Sequence, residues 1–444
     1  MTLEMIELMC ASKVDLLGVG VGPFNLSLAA LADGLDLTTQ FVDRKQEFSW
    51  HPGMLIGGSK LQVPFLADLV TMVCPTSRWS YLNYLSEHQR LFQFFFSERF
   101  EVPRREYSHY LEWVSSELES CRFGCEVVDI SWVGAEEAFV ANVRYSDGGV
   151  DTVVAKNIVL GIGSRPVATP QKNDAASPEG ESLIFHSGEY LEKRSELLSC
   201  ERVAVIGGGQ SGAEIVLDLI RAQDWEGRLA SRPIWISRST AFAPMEYSKL
   251  GLQHFTPDYV EYFFRLSDDV KQELLAKQWQ LYKAVSNQTL SDIHDELYER
   301  TIGGREPNAE LRPGVEVRTV SEGKTRRYSL LCWHVDKRKQ ICIEVDAVVW
   351  ANGYESRPPT VLDAMKDSLP LDSRGKLIIR RDYSISTTGD IGGKIYVQNG
   401  EMHTHGIGAP DLTLGAWRSA QILNSIIGEA RLPVAGDVAW TRFG

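Results

Sequence analysis

The 444-residue chain has little of what marks several protein classes. Its seven cysteines are Cys10, Cys74, Cys121, Cys125, Cys200, Cys332 and Cys342, and none forms a Cys-x-x-Cys pair. Without such a pair neither a redox disulfide nor a zinc knuckle is readable, and scattered thiols suit a reducing compartment. No run of about 18 apolar residues occurs, so no membrane span is expected. The first fifteen residues carry acids where a secretory signal needs bases. The cytoplasm is therefore the expected location. Positive charge is also short: 46 Lys and Arg against 59 Asp and Glu leave a net charge of -13. That balance disfavours nucleic acid or an anionic membrane as a partner. What remains is an ordinary globular composition, 43% hydrophobic and 24% charged, at a length that calls for two or three domains.

Residues 14–18 (VDLLG) read as a short buried parallel strand. The turn Gly18-Val19-Gly20-Val21-Gly22-Pro23 follows, then a helix over 24–31 and a second strand over 39–43. Gly18 permits the tight turn, and Gly20 lets backbone approach a pyrophosphate seated on the helix N-terminus. Pro23 stands at the third motif position and suits a first helical turn, where no N–H is needed. Asp43 ends the second strand, where a carboxylate meets ribose hydroxyls. The pattern recurs as a strand over 202–206, the full motif Gly207-Gly208-Gly209-Gln210-Ser211-Gly212, a helix over 211–222 and a strand over 234–237. The second unit ends on Ser237-Arg238-Ser239 rather than on an acid. An arginine with flanking hydroxyls accommodates a 2′-phosphate, so NADPH is expected over NADH.

The stretches 160–164 (LGIGS) and 350–354 (WANGY) each close an apolar strand with small residues. Small residues let the chain pass beneath a nucleotide, and Asn352, Gly353 and Tyr354 are placed beside one. Helices are expected over 79–87 and 108–118, strands over 139–144 and 152–160, a loop over 169–181 and a last helix over 412–427. The fold expected is α/β, with two Rossmann-like dinucleotide-binding domains and a small helical insertion. The first domain covers 1–168 and 346–444, the second 195–250 and 301–345, and the insertion 251–300.

Seven ordered stretches carry a resemblance: GVGVGPFNLSLAAL (18–31), FSWHPGM (48–54), LQVPFLADLV (61–70), NYL (83–85), VIGGGQSGAE (205–214), DAVVWANGY (346–354) and HTHGIGAPDLTLGAWRSA (403–420). In them the chain resembles the flavin-dependent N-hydroxylating monooxygenases of siderophore biosynthesis, the lysine, ornithine and diamine hydroxylases. It departs from the family pattern D-x3-(L/F)-ATGY-x4-(H/P) at Trp350 and Asn352. The resemblance implies FAD in the first domain and NADPH in the second. It implies reduction of FAD by NADPH, uptake of O2 as a flavin C4a-hydroperoxide, and NADP+ retained to shield it. A neutral primary amine then becomes a hydroxylamine. Gln62 is implied beside the flavin, with Trp50 and His51 lining the same cleft and Thr413 where the family usually has serine. No catalytic triad or metal is expected, and relatives suggest a homotetramer.

Amino-acid hydroxylases of this group read F-L-K-D-L, the lysine pairing the substrate α-carboxylate. Here the stretch is Phe65-Leu66-Ala67-Asp68-Leu69. Ala67 offers no charge, and an unpaired buried carboxylate is costly. A diamine, putrescine or cadaverine, is therefore the expected substrate, with Asp68 nearby for its far ammonium. The alternative is lysine or ornithine, with Lys60 supplying the missing cation. A Baeyer–Villiger or flavin-containing monooxygenase would carry F-x-G-x3-H-x3-(W/Y), of which His186 and Tyr190 alone stand. A disulfide reductase would need the absent Cys-x-x-Cys. A nucleotide-binding sensor without turnover would not consume NADPH and O2 with an added amine.

Overall fold

Each strand–glycine turn–helix unit opens its own parallel sheet in the computed structural model, which describes residues 12–169, 182–224, 231–356 and 359–444. In the first sheet Ser12–Val19 lies between Thr39–Asp43 and Val150–Leu160, parallel to both. Cys121–Phe123 extends the parallel set beyond Thr39–Asp43. The long strand Val150–Leu160 shares its other edge. Its first half pairs antiparallel with Ala138–Tyr145, and its second half pairs parallel with Lys394–Val397 from the far end of the chain. Neighbouring residues of the central strand face opposite cores. Leu16 packs with Leu26, Phe41 and Tyr110, whereas Leu17 and Val19 pack with Ile130, Phe139 and Ile395. This two-sided burial is why the strand reads as a continuous apolar run.

The second sheet runs Ile184–His186, Ala347–Trp350, Arg202–Ile206, Arg232–Ile236, Glu310–Arg312, all parallel. The helix Gln210–Arg221 buries Ile215, Val216 and Leu219 against it. An antiparallel meander, Val315–Glu322, Tyr328–His334 and Lys339–Val345, adds Leu330, Cys332 and Ile343 to the same core. The sequence reading had named no elements there.

The expected domain limits move. Ala347–Trp350 lies between two strands of the second sheet, so that domain starts near Leu183 and ends at Trp350, not at 195 and 345. A short strand of apolar residues looks the same in either sheet, and the pattern alone does not say which one it joins. The return to the first domain follows directly: Tyr354–Ser356 pairs antiparallel with Ser164–Pro166, so the outgoing and returning links run side by side. The loop expected over 169–181 falls, except for Thr169, outside the described residues.

The helical insertion divides between the two halves. Asn287–Arg300 packs on Gln210–Arg221 and sends Ile293 into the second core. Pro257–Arg265 begins with proline in its first turn behind a Thr256 cap, whose Oγ1 accepts from Tyr259 N at 3.4 Å. It packs Tyr259 and Phe263 against Ile407 of the C-terminal segment. Among the described residues no helix is long and apolar enough to cross a membrane.

Candidate active site

The first glycine turn is shaped by contacts that no other residue could make. Gly20 has φ +89°, and a Cβ there would lie 2.5 Å from the Gly161 carbonyl oxygen. The LGIGS stretch thus passes directly under the turn. Gly22 caps the helix Pro23–Ala32 with no side-chain bond to its N–H groups, and a Cβ there would meet nothing within 4 Å. An open face of free backbone donors at a helix N-terminus fits a pyrophosphate. Asp43 accepts from Val21 N at 2.9 Å and from Lys45 N at 3.0 Å, so it braces the turn as well as closing its strand. The sequence reading had passed over Asn25. Its buried amide donates to Val19 O at 3.2 Å and Gly20 O at 2.8 Å, and accepts from Gln398 Nε2 at 3.0 Å.

The second turn repeats the design with different props. Gly207 has φ +140°, and a Cβ would lie 2.1 Å from Ala351 O, within the WANGY stretch. Trp235 Nε1 donates to Gly207 O at 2.7 Å, and a Cβ on Gly212 would fall 2.4 Å from that oxygen. Gly209 caps Gln210–Arg221 without a side-chain bond, leaving its first-turn donors free, and Ser211 follows on that turn. Ser237 is buried at the adjoining strand end, its Oγ accepting from Ser239 N at 3.2 Å. Arg238 beside it is exposed and has no ion-pair partner among the described residues.

A cleft of about 970 Å³, its open mouth included, opens at the domain boundary beside the second turn, lined by Lys60, Gln62, Gln210, Tyr247, Ser286 and Thr289 among others. Gln62, on the strand Lys60–Pro64 of the first domain, donates to Gln210 Oε1 at 3.1 Å. Gln210 Oε1 also accepts from Ser286 N at 2.8 Å, and its amide donates to Glu214 Oε1 at 2.9 Å and Thr289 Oγ1 at 3.1 Å. One side chain of the second motif thereby ties together both domains and the insertion. Arg104 crosses the same boundary, donating to both carboxylate oxygens of Glu214 at 2.9 and 2.8 Å. At Gly53 a Cβ would lie 1.8 Å from Gly188 O, so the backbones of the two domains touch there.

Trp50 and His51 belong to a chain of rings along this boundary. His51 is edge-on to Trp50 at 5.1 Å and to Tyr354 at 6.1 Å, and Tyr354 is edge-on to His186 at 4.8 Å. His51 takes a left-handed backbone conformation, φ 48°. Its ring touches solvent at the domain boundary but has protein packed round it. That surrounding mass, with Arg104 and Lys45 nearby, pushes its pKa down to about 4 and keeps it neutral.

Asp68 departs from expectation. Its carboxylate accepts from Val70 N, Thr71 N, Thr71 Oγ1 and Tyr81 N at 2.6–3.0 Å, all within its own turn and the next helix start. It holds local structure and, like the buried Ala67, is not on the cleft lining. A different acid lies near Tyr247 of the lining. Asp411 caps the turn Leu412–Leu414 by accepting from Thr413 N at 2.8 Å, and burial pushes its pKa up. Its charge is felt at Tyr107 and at Tyr247, which lines the cleft. Thr413 is thus the direct neighbour of an acid that the sequence reading did not single out. Among the described residues no group of His, Cys, Asp and Glu could hold a metal ion.

The sequence matches the L-lysine 6-monooxygenase/L-ornithine 5-monooxygenase family over residues 12–356. It is 42% identical to the rhizobactin siderophore biosynthesis protein RhbE of Rhizobium meliloti over 435 residues, 97% of this chain and 95% of that protein. It is 38% identical to the putrescine N-hydroxylase of Shewanella oneidensis, over 97% of this chain and 84% of that protein. The fold superimposes on the FAD-bound cadaverine monooxygenase DfoA of Erwinia amylovora with a TM-score of 0.90 at 30% identity, covering 98% of this chain and 99% of that one. The chain therefore belongs to the L-lysine 6-monooxygenase/L-ornithine 5-monooxygenase family, the FAD- and NADPH-dependent flavoenzymes that N-hydroxylate amines for siderophore biosynthesis.

Proposed function

We propose that this enzyme hydroxylates one primary amine of an aliphatic diamine, putrescine or cadaverine, giving the N-hydroxydiamine of a hydroxamate siderophore. The observation that carries the reading is the sequence at Ala67, uncharged where amino-acid hydroxylases of this group place a lysine, although the side chain itself sits off the cleft lining. Asp411, close enough to Tyr247 of the cleft to act on its phenol, is the acid this reading assigns to the far ammonium, whose charge would have to offset the burial that pushes the Asp411 pKa up. The putrescine and cadaverine enzymes among its relatives support the same substrate class.

On this reading FAD lies at residues 18–23 and NADPH at 207–212, and the bound cofactors supply the electrons and the activated oxygen. The protein's part is position, dryness and proton bookkeeping. Free N–H groups behind Gly22 and Gly209 hold the two pyrophosphates, Asp43 and Arg238 the sugar ends, and Asn352, Gly353 and Tyr354 the crossing strand beneath. Gln62 and Gln210 hold the two cradles in register. Trp50, His51 and Tyr354 form a run of rings along the domain boundary, and a neutral His51 adds no cation there to repel the incoming amine. The reacting nitrogen must shed its proton. Acids near it would oppose that, and Glu214 is already engaged by Arg104.

The test is an amine panel scored by hydroxylamine product rather than by NADPH loss, which an uncoupled oxidase also shows. Putrescine or cadaverine is expected to exceed lysine and ornithine; the reverse order removes the proposal. A second reading rests on Lys60, which lines the cleft without an ion-pair partner among the described residues. If Lys60 paired an amino-acid carboxylate, Lys60→Met would abolish lysine or ornithine turnover, whereas diamine turnover should survive it.

A further inference from the structure

The cleft lining carries four carboxylates, Glu101, Glu214, Asp218 and Asp292. Three are already engaged. Glu214 accepts from Arg104 at 2.9 and 2.8 Å, Asp218 from Arg194 Nε at 2.6 Å, and Asp292 from Gln288 Nε2 at 2.6 Å. Glu101 is exposed, and its side chain has no hydrogen-bond or ion-pair partner among the described residues. Its backbone is nonetheless fixed. It stands opposite Pro64 in the pairing of Glu101–Pro103 with Lys60–Pro64, two residues from Gln62, and the preceding Phe100 O accepts from Phe65 N at 2.8 Å. Lys60, the cation of the amino-acid reading, pairs at the other end of that strand, about 13 Å away along the chain.

Tyr247 lies on the same lining, and its hydroxyl is buried without a hydrogen-bond partner among the described residues. A buried polar group left alone calls for an explanation. Burial first, then the charges of Asp411 and Glu101, push the phenol's pKa up, so both acids are close enough to act on it. The backbone before it is tied to the centre of the cleft. Met245 N donates to Val285 O at 2.7 Å and Glu246 N to Gln280 O at 3.0 Å, and Ser286 N, just beyond Val285, donates to Gln210 Oε1 at 2.8 Å.

We propose that Glu101 is the residue that selects a diamine, binding the ammonium that is not hydroxylated, with the Tyr247 hydroxyl beside it. The inference rests on the diamine reading above and adds to it the acid that discriminates. Glu101 lines the cleft itself, whereas Asp411 is placed there only through its action on Tyr247. An ammonium offers three N–H donors, so Asp411, which already accepts from Thr413 N, leaves room for a second acid and for the phenol oxygen. An α-carboxylate in the same place would meet a like charge.

Glu101→Gln exchanges an exposed carboxylate for an amide and should fold as the parent does. Its KM for putrescine and cadaverine should rise about tenfold, the scale of one charged hydrogen bond, with kcat and the NADPH KM unchanged. Pentylamine, which has no second ammonium, should show the same kcat/KM in parent and variant, or the same inhibition constant against cadaverine if it is not turned over. Tyr247→Phe should shift the diamine KM in the same direction and leave pentylamine alone. A parent that takes diamines, beside a Glu101→Gln variant of unchanged diamine KM, overturns this inference and leaves the diamine reading standing. An equal loss toward cadaverine and pentylamine does the same, since it marks a general disturbance of the cleft. A parent that prefers lysine or ornithine removes the diamine reading and this inference with it.

Discussion

Gly20 and Gly207 do the same job in different domains, and this makes their substitutions separable. Both have positive φ and both lie against a carbonyl oxygen of a crossing strand. Alanine at either must displace that strand. Gly20→Ala is expected to yield protein without flavin absorbance. Gly207→Ala should keep its flavin yet fail to be reduced by NADPH in an anaerobic mixing experiment. Loss of flavin from both, or from neither, contradicts the assignment of the two turns. Such residues were legible because a glycine motif acts through backbone a few positions away. Asp68 was misread for the opposite reason: which way a short acid points is decided by its own turn, and here four local donors claim it. Asp411 was missed because its meaning depends on Tyr107 and Tyr247, distant in sequence. Asp411→Asn should raise the diamine KM roughly ten- to hundredfold, the scale of one charged hydrogen bond. NADPH oxidation without amine should be little affected, and an unchanged KM would remove Asp411 from the substrate site.

At the scale of elements, the strand–turn–helix units were readable because their apolar runs and glycines are contiguous. The meander Val315–Glu322, Tyr328–His334 and Lys339–Val345 was not: its strands carry polar residues on an open face and lack a signature turn. Nor could the sequence show that the helix Arg104–Glu117 starts with the residue that clamps the other domain. Arg104 and Glu214 have side chains only 13% and 6% exposed, so neither charge is well hydrated if left alone. Arg104→Met should destabilise the protein by about 3–5 kcal/mol, because Glu214 is left buried and unpaired. Adding Glu214→Gln should recover much of that loss in urea unfolding. If the double variant is as unstable as the single one, the clamp acts through packing rather than charge.

The molecule as a whole carries a built-in sensitivity to acid. His405 is 2% exposed, stacked on Tyr383 at 4.1 Å, and its pKa is pushed down to about 3 by burial, with Arg418 and other cations adding to the effect. His51 is held down to about 4 at the domain boundary. In the unfolded chain each titrates near 6.5. Between 6.5 and those lowered values the unfolded state binds protons that the folded state refuses, so folding stability is intact above 6.5 and declines as pH falls through that window. At its steepest the buried His405 removes about 1.4 kcal/mol per pH unit, and His51, whose ring reaches solvent, removes less. Asp68 and Asp411 act in the opposite sense, since burial makes the folded state keep their protons at a pH where the unfolded chain has lost them. The total slope therefore mixes signs, and a difference measurement isolates the histidine. Urea midpoints measured from pH 7 to pH 5 should fall less steeply for His405→Gln than for the parent, whatever the variant's absolute stability. Parallel curves would mean that His405 takes up its proton without unfolding, and that the segment of residues 402–414, which also carries Asp411 and Thr413, opens to water before the rest of the fold does.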